Sequence, residues 1–244
     1  MNLTLDPSVA VGYKSLSQKA RVITEHWATA NLFCPACASD RLEPHRPNEP
    51  VADYRCQNCA ARYQLKGTSG SFGGSVTNSA YQPKMDAIQS GRVPHYAFLR
   101  YSSQRWMVTD LFIVPGYFFT PAVIQERPPL RSTARRHGWI GSNILLRALP
   151  QDARVQVVTG EQVLPHEEVR NAWNRFAFLG AAENAKGGWV RIHLRALGNY
   201  RGSLSRMSSP CKTSISDSNL VWVPSTLRTT TSSPKSASSL RCCE

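Results

Sequence analysis

The chain is poor in acidic residues and has no long apolar run. Of its 244 residues 16 are Asp or Glu, against 29 Lys or Arg, for a formal charge of +13 and a sequence pI near 9.8. Such a balance favours a polyanionic partner, nucleic acid being the commonest, although basicity alone does not identify one. A membrane span needs roughly 20 mainly apolar residues. The most apolar window, Trp106 to Phe119, is interrupted by Thr109, Asp110, Pro115 and Gly116 and reads as strands. Met1 to Asp6 lacks the basic-then-apolar pattern of a secretory signal, and no internal repeat is present. Four of the seven cysteines fall in two CxxC pairs. That usage fits metal binding in a reducing compartment better than a disulfide framework. The expectation is a cytoplasmic protein with no membrane association and no protein partner implied. Hydrophobic residues at 41% exclude wholesale disorder.

Periodicity predicts a helix from Ser15 to Ala30, with Ile23 and Trp27 on its apolar face and Glu25 off that stripe. Val51 to Arg55 reads as a strand, Gln57-Asn58 as a turn, and Ala61 to Lys66 as the returning strand. On that strand Tyr63 and Leu65 share one face, Gln64 and Lys66 the other. Ser69 to Ser79 reads as a loop. His95 to Tyr101, Trp106 to Val114 and Val155 to Val158 read as strands, and Glu167 to Leu179 as a helix with Val169, Trp173 and Phe176 on one buried stripe. Val190 to Arg195 alternates as a strand with one wet face. Strands mixed with helices predict an α/β core.

The composition changes near Gly202: from Gly198 to Glu244, 18 of 47 residues are Ser or Thr. One reading is a disordered basic tail. The preferred one is a frameshift. With permitted codons, a one-base shift can turn Ser203 to Cys211 into F-T-L-E-D-V-F-A-L, and Lys235 to Glu244 into K-I-R-Q-Q-L-A-V-L-R. Both look more like folded protein than the quoted residues. A coding DNA whose shifted frame soon meets a stop would refute this.

Two motifs carry chemistry. Cys34-x2-Cys37 and Cys56-x2-Cys59, 18 residues apart, match a four-cysteine zinc ribbon. Four thiolates close the shell, so the zinc is expected to be structural; His45 could substitute, but there is no vacancy for it. Within the same segment Asp53 is followed, ten residues on, by Gln64-Leu65-Lys66. An acid, then an acid or amide, any residue and a lysine is the order used by divalent-metal nucleases. Asp53, the Gln64 side-chain oxygen and the Leu65 carbonyl would ligate a divalent metal ion, and Lys66 would orient or deprotonate the attacking water. Alone, a D-x10-QxK pattern reads more readily as the charged face of a hairpin; coupling to the zinc hairpin favours the nuclease. Arg131 to Gly141 places Arg135, Arg136 and His137 beside Trp139. This segment is either a DNA-gripping loop or a basic turn followed by a core tryptophan. Lys14, Lys19 and Arg21 are phosphate contacts or solvated charges. Cys211, Cys242 and Cys243 have no assignment.

Together these segments resemble the DpnI family of methyl-directed type II restriction endonucleases. The resemblance rests on Ser17-Gln18-Lys19-Ala20-Arg21, Thr24-Glu25, Trp27, Cys34-Pro35-x-Cys37, Pro50-Val51-Ala52-Asp53-Tyr54-x-Cys56, Cys59 and Leu65-Lys66. It continues through Thr120-Pro121 and Thr133-Ala134-Arg135-Arg136-x-Gly138-Trp139-Ile140-Gly141, spanning about residues 12 to 197. It implies an α/β PD-(D/E)xK core with a mixed central sheet and an embedded zinc ribbon over residues 1–197. It further implies magnesium-dependent double-strand cutting of DNA at GATC carrying N6-methyladenine. Asp53, Gln64, Leu65 and Lys66 then occupy the metal and catalytic positions, and Arg135, Arg136 and Trp139 the segment that engages methylated bases. The chain departs from the family twice. Gln64 stands where the family has glutamate, so slower cutting or a higher metal requirement is expected. Residues 198–244 stand where the family carries a winged-helix domain, apparently lost here, so weaker DNA affinity is expected. Two further readings remain open: a methylated-DNA-binding module with impaired cutting, and a zinc-ribbon nucleic-acid binder without methyl preference.

Overall fold

The computed structural model describes residues 1–45 and 52–181. The elements run in the order α1 (Leu16–Asn31), β1 (Glu43–Pro44), β2 (Tyr54–Arg55), β3 (Arg62–Thr68), β4 (Val76–Ala80), α2 (Tyr81–Gln89), β5 (His95–Ser102) and β6 (Met107–Val114). They continue with β7 (Ile124–Glu126), β8 (Gly141–Ile144), β9 (Val155–Thr159), β10 (Gln162–Val163), α3 (His166–Asn174) and α4 (Ala177–Ala181), with short 3-10 turns between them. The expected Val190 to Arg195 strand and the tail after residue 197 lie outside the described residues.

The mixed α/β architecture is as expected. A seven-stranded sheet runs β1-β2-β3-β5-β6-β9-β10, with β3 parallel to β5 and every other pair antiparallel. A second sheet, β4-β8-β7, has three strands. The near-continuous apolar runs of β5 and β6 are explained by burial on both faces. Leu99, Leu111 and Ile113 join the core under α1 and α3, while Tyr96, Phe98, Phe112 and Val114 join a second core on the opposite face.

Three local expectations are corrected. The strand before the knuckle is shorter than expected: β2 holds Tyr54 and Arg55, and Asp53 sits in a bend ahead of it. Ser69 to Ser79 is not loop throughout, because β4 begins at Val76 and pairs with β8. The single helix expected from Glu167 to Leu179 is two. Val169 and Trp173 serve the first core, Phe176 and Leu179 the second, and the chain bends between them to reach both.

Candidate functional site

Ser15 starts α1, which buries Ile23, Thr24, Trp27 and Ala28 as its 3.6-residue period requires. The helix lies unusually near β3. A Cβ on Gly67 would stand 3.0 Å from Thr24 Cγ2, so the bare backbone of Gly67 permits the approach. Tyr54 fastens the same turn, its hydroxyl donating to the Glu25 carbonyl at 2.9 Å.

The expected hairpin forms, with Tyr54 opposite Tyr63. Its two CxxC turns bring all four sulfurs within 4.8 Å of one another. Cys34 and Cys59 Sγ lie 3.6 Å apart, Cys37 and Cys56 Sγ 3.5 Å. A tetrahedron with zinc–sulfur bonds of about 2.3 Å has edges of about 3.8 Å, so the cluster can hold a zinc ion. His45 is not part of it. Tyr63 Oη lies 3.1 Å from Cys34 Sγ and would donate to a bound thiolate. Burial raises the Cys34 thiol well above its usual range. At Cys56 burial acts the same way, but donors including the Cys59 N–H outweigh it and bring the thiol down to about 7. Helix α3 braces the knuckle: Arg170 Nε donates to the Cys37 carbonyl at 3.0 Å, and the His166 ring stacks on Phe33 with centroids 3.8 Å apart.

Because β2 reaches only Arg62 and Tyr63, the edge of β3 from Gln64 onward is left to Asp53. Asp53 N–H donates to the Tyr63 carbonyl, and Asp53 Oδ2 accepts the Leu65 N–H, both at 2.8 Å. A residue's N–H and C=O leave a strand on the same edge, so the Leu65 carbonyl also faces the Asp53 side. Asp53, Gln64, Leu65 and Lys66 line one cleft of about 560 Å³, closed by Ser17, Arg21, Thr24 and Glu25 of α1 and by Ser71 to Thr77. Carboxylate and carbonyl oxygens are hard donors, the set that magnesium takes. Lys66 is half-buried, and among the described residues nothing hydrogen-bonds its ammonium. Burial lowers its pKa, with Asp53 opposing the shift.

Two residues at this site, Lys84 behind Gln64 and Glu25 on the cleft wall, were not expected there from sequence. Lys84 of α2 is fully buried and donates to Gln64 Oε1 at 3.3 Å, with its ammonium 5.1 Å from the Tyr96 ring centre. Burial, then repulsion from Lys66, lowers the Lys84 pKa to about 7. Glu25 lies close enough to Asp53 that burial and this second carboxylate together raise its pKa, although Arg21 pairs with it at 3.1 Å. The signal for α2 was present in the spacing of Tyr81, Met85 and Ile88; Pro83 obscures it, yet proline is tolerated in a first turn.

The basic loop is a separate projection. At its base Leu130 N–H donates to the Trp139 carbonyl and the Leu130 carbonyl accepts the Gly138 N–H, and Arg131, Arg135, Arg136 and His137 are exposed. Trp139 belongs to neither core. It is half-buried against the bare backbone of Gly141, where a Cβ would stand 2.7 Å from the indole, and the Arg136 guanidinium lies 4.8 Å from its ring centre. The core-tryptophan alternative is thereby removed. β4 joins loop to cleft: Val76 and Thr77 line the cleft, and Ala80 pairs with Gly141.

Fold and site together define a mixed α/β protein in which a four-cysteine knuckle able to hold a metal adjoins an oxygen-donor cleft holding a lysine. The family model described as "DpnI: Dam-replacing family" matches residues 1–182, and the chain belongs to that family. Membership points to a nuclease-like enzyme of restriction type whose partner is DNA. Among the described residues, no helix is long and apolar enough to cross a membrane.

Proposed function

We propose that the protein is a methyl-directed type II restriction endonuclease of PD-(D/E)xK build, making magnesium-dependent double-strand cuts in DNA at adenine-methylated GATC sites. The observation that carries this reading is the gathering of Asp53, Gln64, Leu65 and Lys66 on one cleft beside a four-cysteine knuckle. The knuckle takes a structural zinc ion, which holds the hairpin and with it the position of Asp53. Asp53, the Leu65 carbonyl and a third oxygen donor hold magnesium, which when bound offsets negative charge at the phosphate. Lys66, whose ammonium no group among the described residues hydrogen-bonds, would orient the attacking water and face a non-bridging oxygen of the phosphate. Attack at phosphorus breaks the bond to O3′, leaving a 5′-phosphate and a 3′-hydroxyl. Arg135 and Arg136 grip the backbone while Trp139 offers an aromatic surface on which the methylated adenine packs. Residues 1–197 form this endonuclease domain. Residues 198–244 are the frameshifted remnant of a winged-helix domain, and the protein works in the cytoplasm.

The test is digestion of one plasmid prepared with and without adenine methylation, with Lys66→Ala as control. Cleavage of the methylated plasmid alone, abolished by the substitution, is expected. One observation favours a second reading, a methylated-DNA-binding module that does not cut: the Gln64 oxygen is already engaged by Lys84. Methyl-dependent binding without metal-dependent cleavage would select it.

A further inference from the structure

Position 64 carries a neutral amide, and its oxygen is occupied. Lys84 is buried without exposed surface, and its ammonium donates to Gln64 Oε1 at 3.3 Å. As an ammonium Lys84 donates only, and in that form the amide oxygen faces it. Turning the oxygen to a metal would strip Lys84 of its only polar partner among the described residues. It would also set a dication beside a buried positive charge.

Another carboxylate is at hand. Glu25 lines the same cleft as Asp53, Leu65 and Lys66. Its helix turn is fastened from both sides: the Tyr54 hydroxyl holds the Glu25 carbonyl beside Asp53, and Thr24 rests on Gly67 beside Lys66. Among the described residues the Glu25 side chain pairs with Arg21, through Oε1 at 3.1 Å. An exposed i, i+4 pair of this kind is weak and yields readily to a dication.

We propose that Glu25 supplies the second carboxylate of the metal site, and that Gln64, held by Lys84, stays outside the metal's coordination. The inference rests on the nuclease reading above. Metal is held between α1 and the hairpin, on Glu25, Asp53 and the Leu65 carbonyl, and Arg21 is released when it binds. Position 64 becomes a structural partner of α2.

The experiment is equilibrium binding of Mn2+, followed by electron paramagnetic resonance, to the full-length zinc-loaded protein. The variants are Glu25→Gln, Gln64→Ala and Asp53→Asn, with zinc content and circular dichroism confirming the fold. Glu25→Gln is expected to weaken Mn2+ at least about tenfold, and Gln64→Ala to change it by less than about threefold. Binding unchanged in Glu25→Gln, or as weak in Gln64→Ala as in Asp53→Asn, overturns the proposal while leaving the nuclease reading intact. Absence of Mn2+ binding to the folded wild type overturns both. Should Glu25→Gln lose zinc, the Gln64→Ala comparison decides.

Discussion

Asp53 Oδ2 accepts the Leu65 N–H at 2.8 Å, so one carboxylate both closes the hairpin and forms the wall of the cleft. The two tasks separate by substitution. Asp53→Asn keeps an oxygen that can accept the N–H, and its unfolding free energy should stay within about 1 kcal/mol of wild type. Lost charge should nevertheless cut cleavage on the order of 10²–10³-fold. Asp53→Ala should lose stability as well. Equal stability for the two variants in urea denaturation would show that the hydrogen bond does not support the hairpin.

The knuckle should bind one zinc ion per chain, on Cys34, Cys37, Cys56 and Cys59. Binding contributes on the order of 10 kcal/mol of local folding free energy, so chelation should melt the hairpin and abolish any activity that depends on Asp53. Tyr63→Phe removes the hydroxyl beside Cys34 Sγ and should lower zinc affinity about 10- to 100-fold. A competition titration with a chromogenic chelator measures both.

Gly67→Ala drives a methyl group to 3.0 Å from Thr24 Cγ2. Such overpacking costs about 1–3 kcal/mol, and here it would also push α1 away from the cleft. Adding Thr24→Ala should restore most of the stability and the cleavage rate. Simple additivity of the two changes in a double-mutant cycle would exclude this contact as the cause.

Arg135 and Arg136 are exposed beside a half-buried Trp139. If each arginine meets a phosphate, removing both should lower the salt dependence of DNA binding by about two units of slope, uniformly across sequences. Trp139→Ala should instead cost about 1–3 kcal/mol and shrink the preference for methylated duplex. Gly141→Ala, which displaces the indole, should resemble Trp139→Ala. Fluorescence anisotropy at several salt concentrations distinguishes the two patterns.

His95 is held neutral. Its Nδ1 accepts the Gly116 N–H at 2.8 Å, and burial, then the charge of Arg62, lowers its pKa to about 4. The unfolded chain therefore binds this proton first. The associated stability is present above pH 6.5 and is lost as pH falls from there toward 4, up to about 3 kcal/mol. Urea unfolding across that window, with zinc content followed in parallel, should show a drop that is absent from His95→Asn. An equal drop in both proteins would assign it to other groups.

Several parts of the site were legible in the chain itself. Cysteine spacing marked the knuckle, and apolar spacing marked α1. The hairpin itself followed from the turn at Gln57-Asn58, though its register, Tyr54 opposite Tyr63, did not. Other parts were hidden. β4 reads Val-Thr-Asn-Ser-Ala after a Gly- and Ser-rich stretch that looks like loop, and becomes a strand because β8 offers it a partner. Glu25 read only as a residue off the apolar stripe of α1, and Lys84 carried no signal at all. Periodicity gives the face a residue occupies, but not what packs against that face.

The sequence by itself determined the local chemistry of this protein: two thiolate pairs on tight turns, and an acid and a lysine at hairpin spacing. It also determined which stretches are apolar enough to be buried on both faces. Only the tertiary structure decided that Trp139 stands outside the cores, that Lys84 reaches Gln64, and that α1 brings Glu25 against Asp53. Spacing along a chain specifies contacts within an element. Contacts between elements far apart in sequence arise from packing, where one missing Cβ at Gly67 sets how near a helix can come.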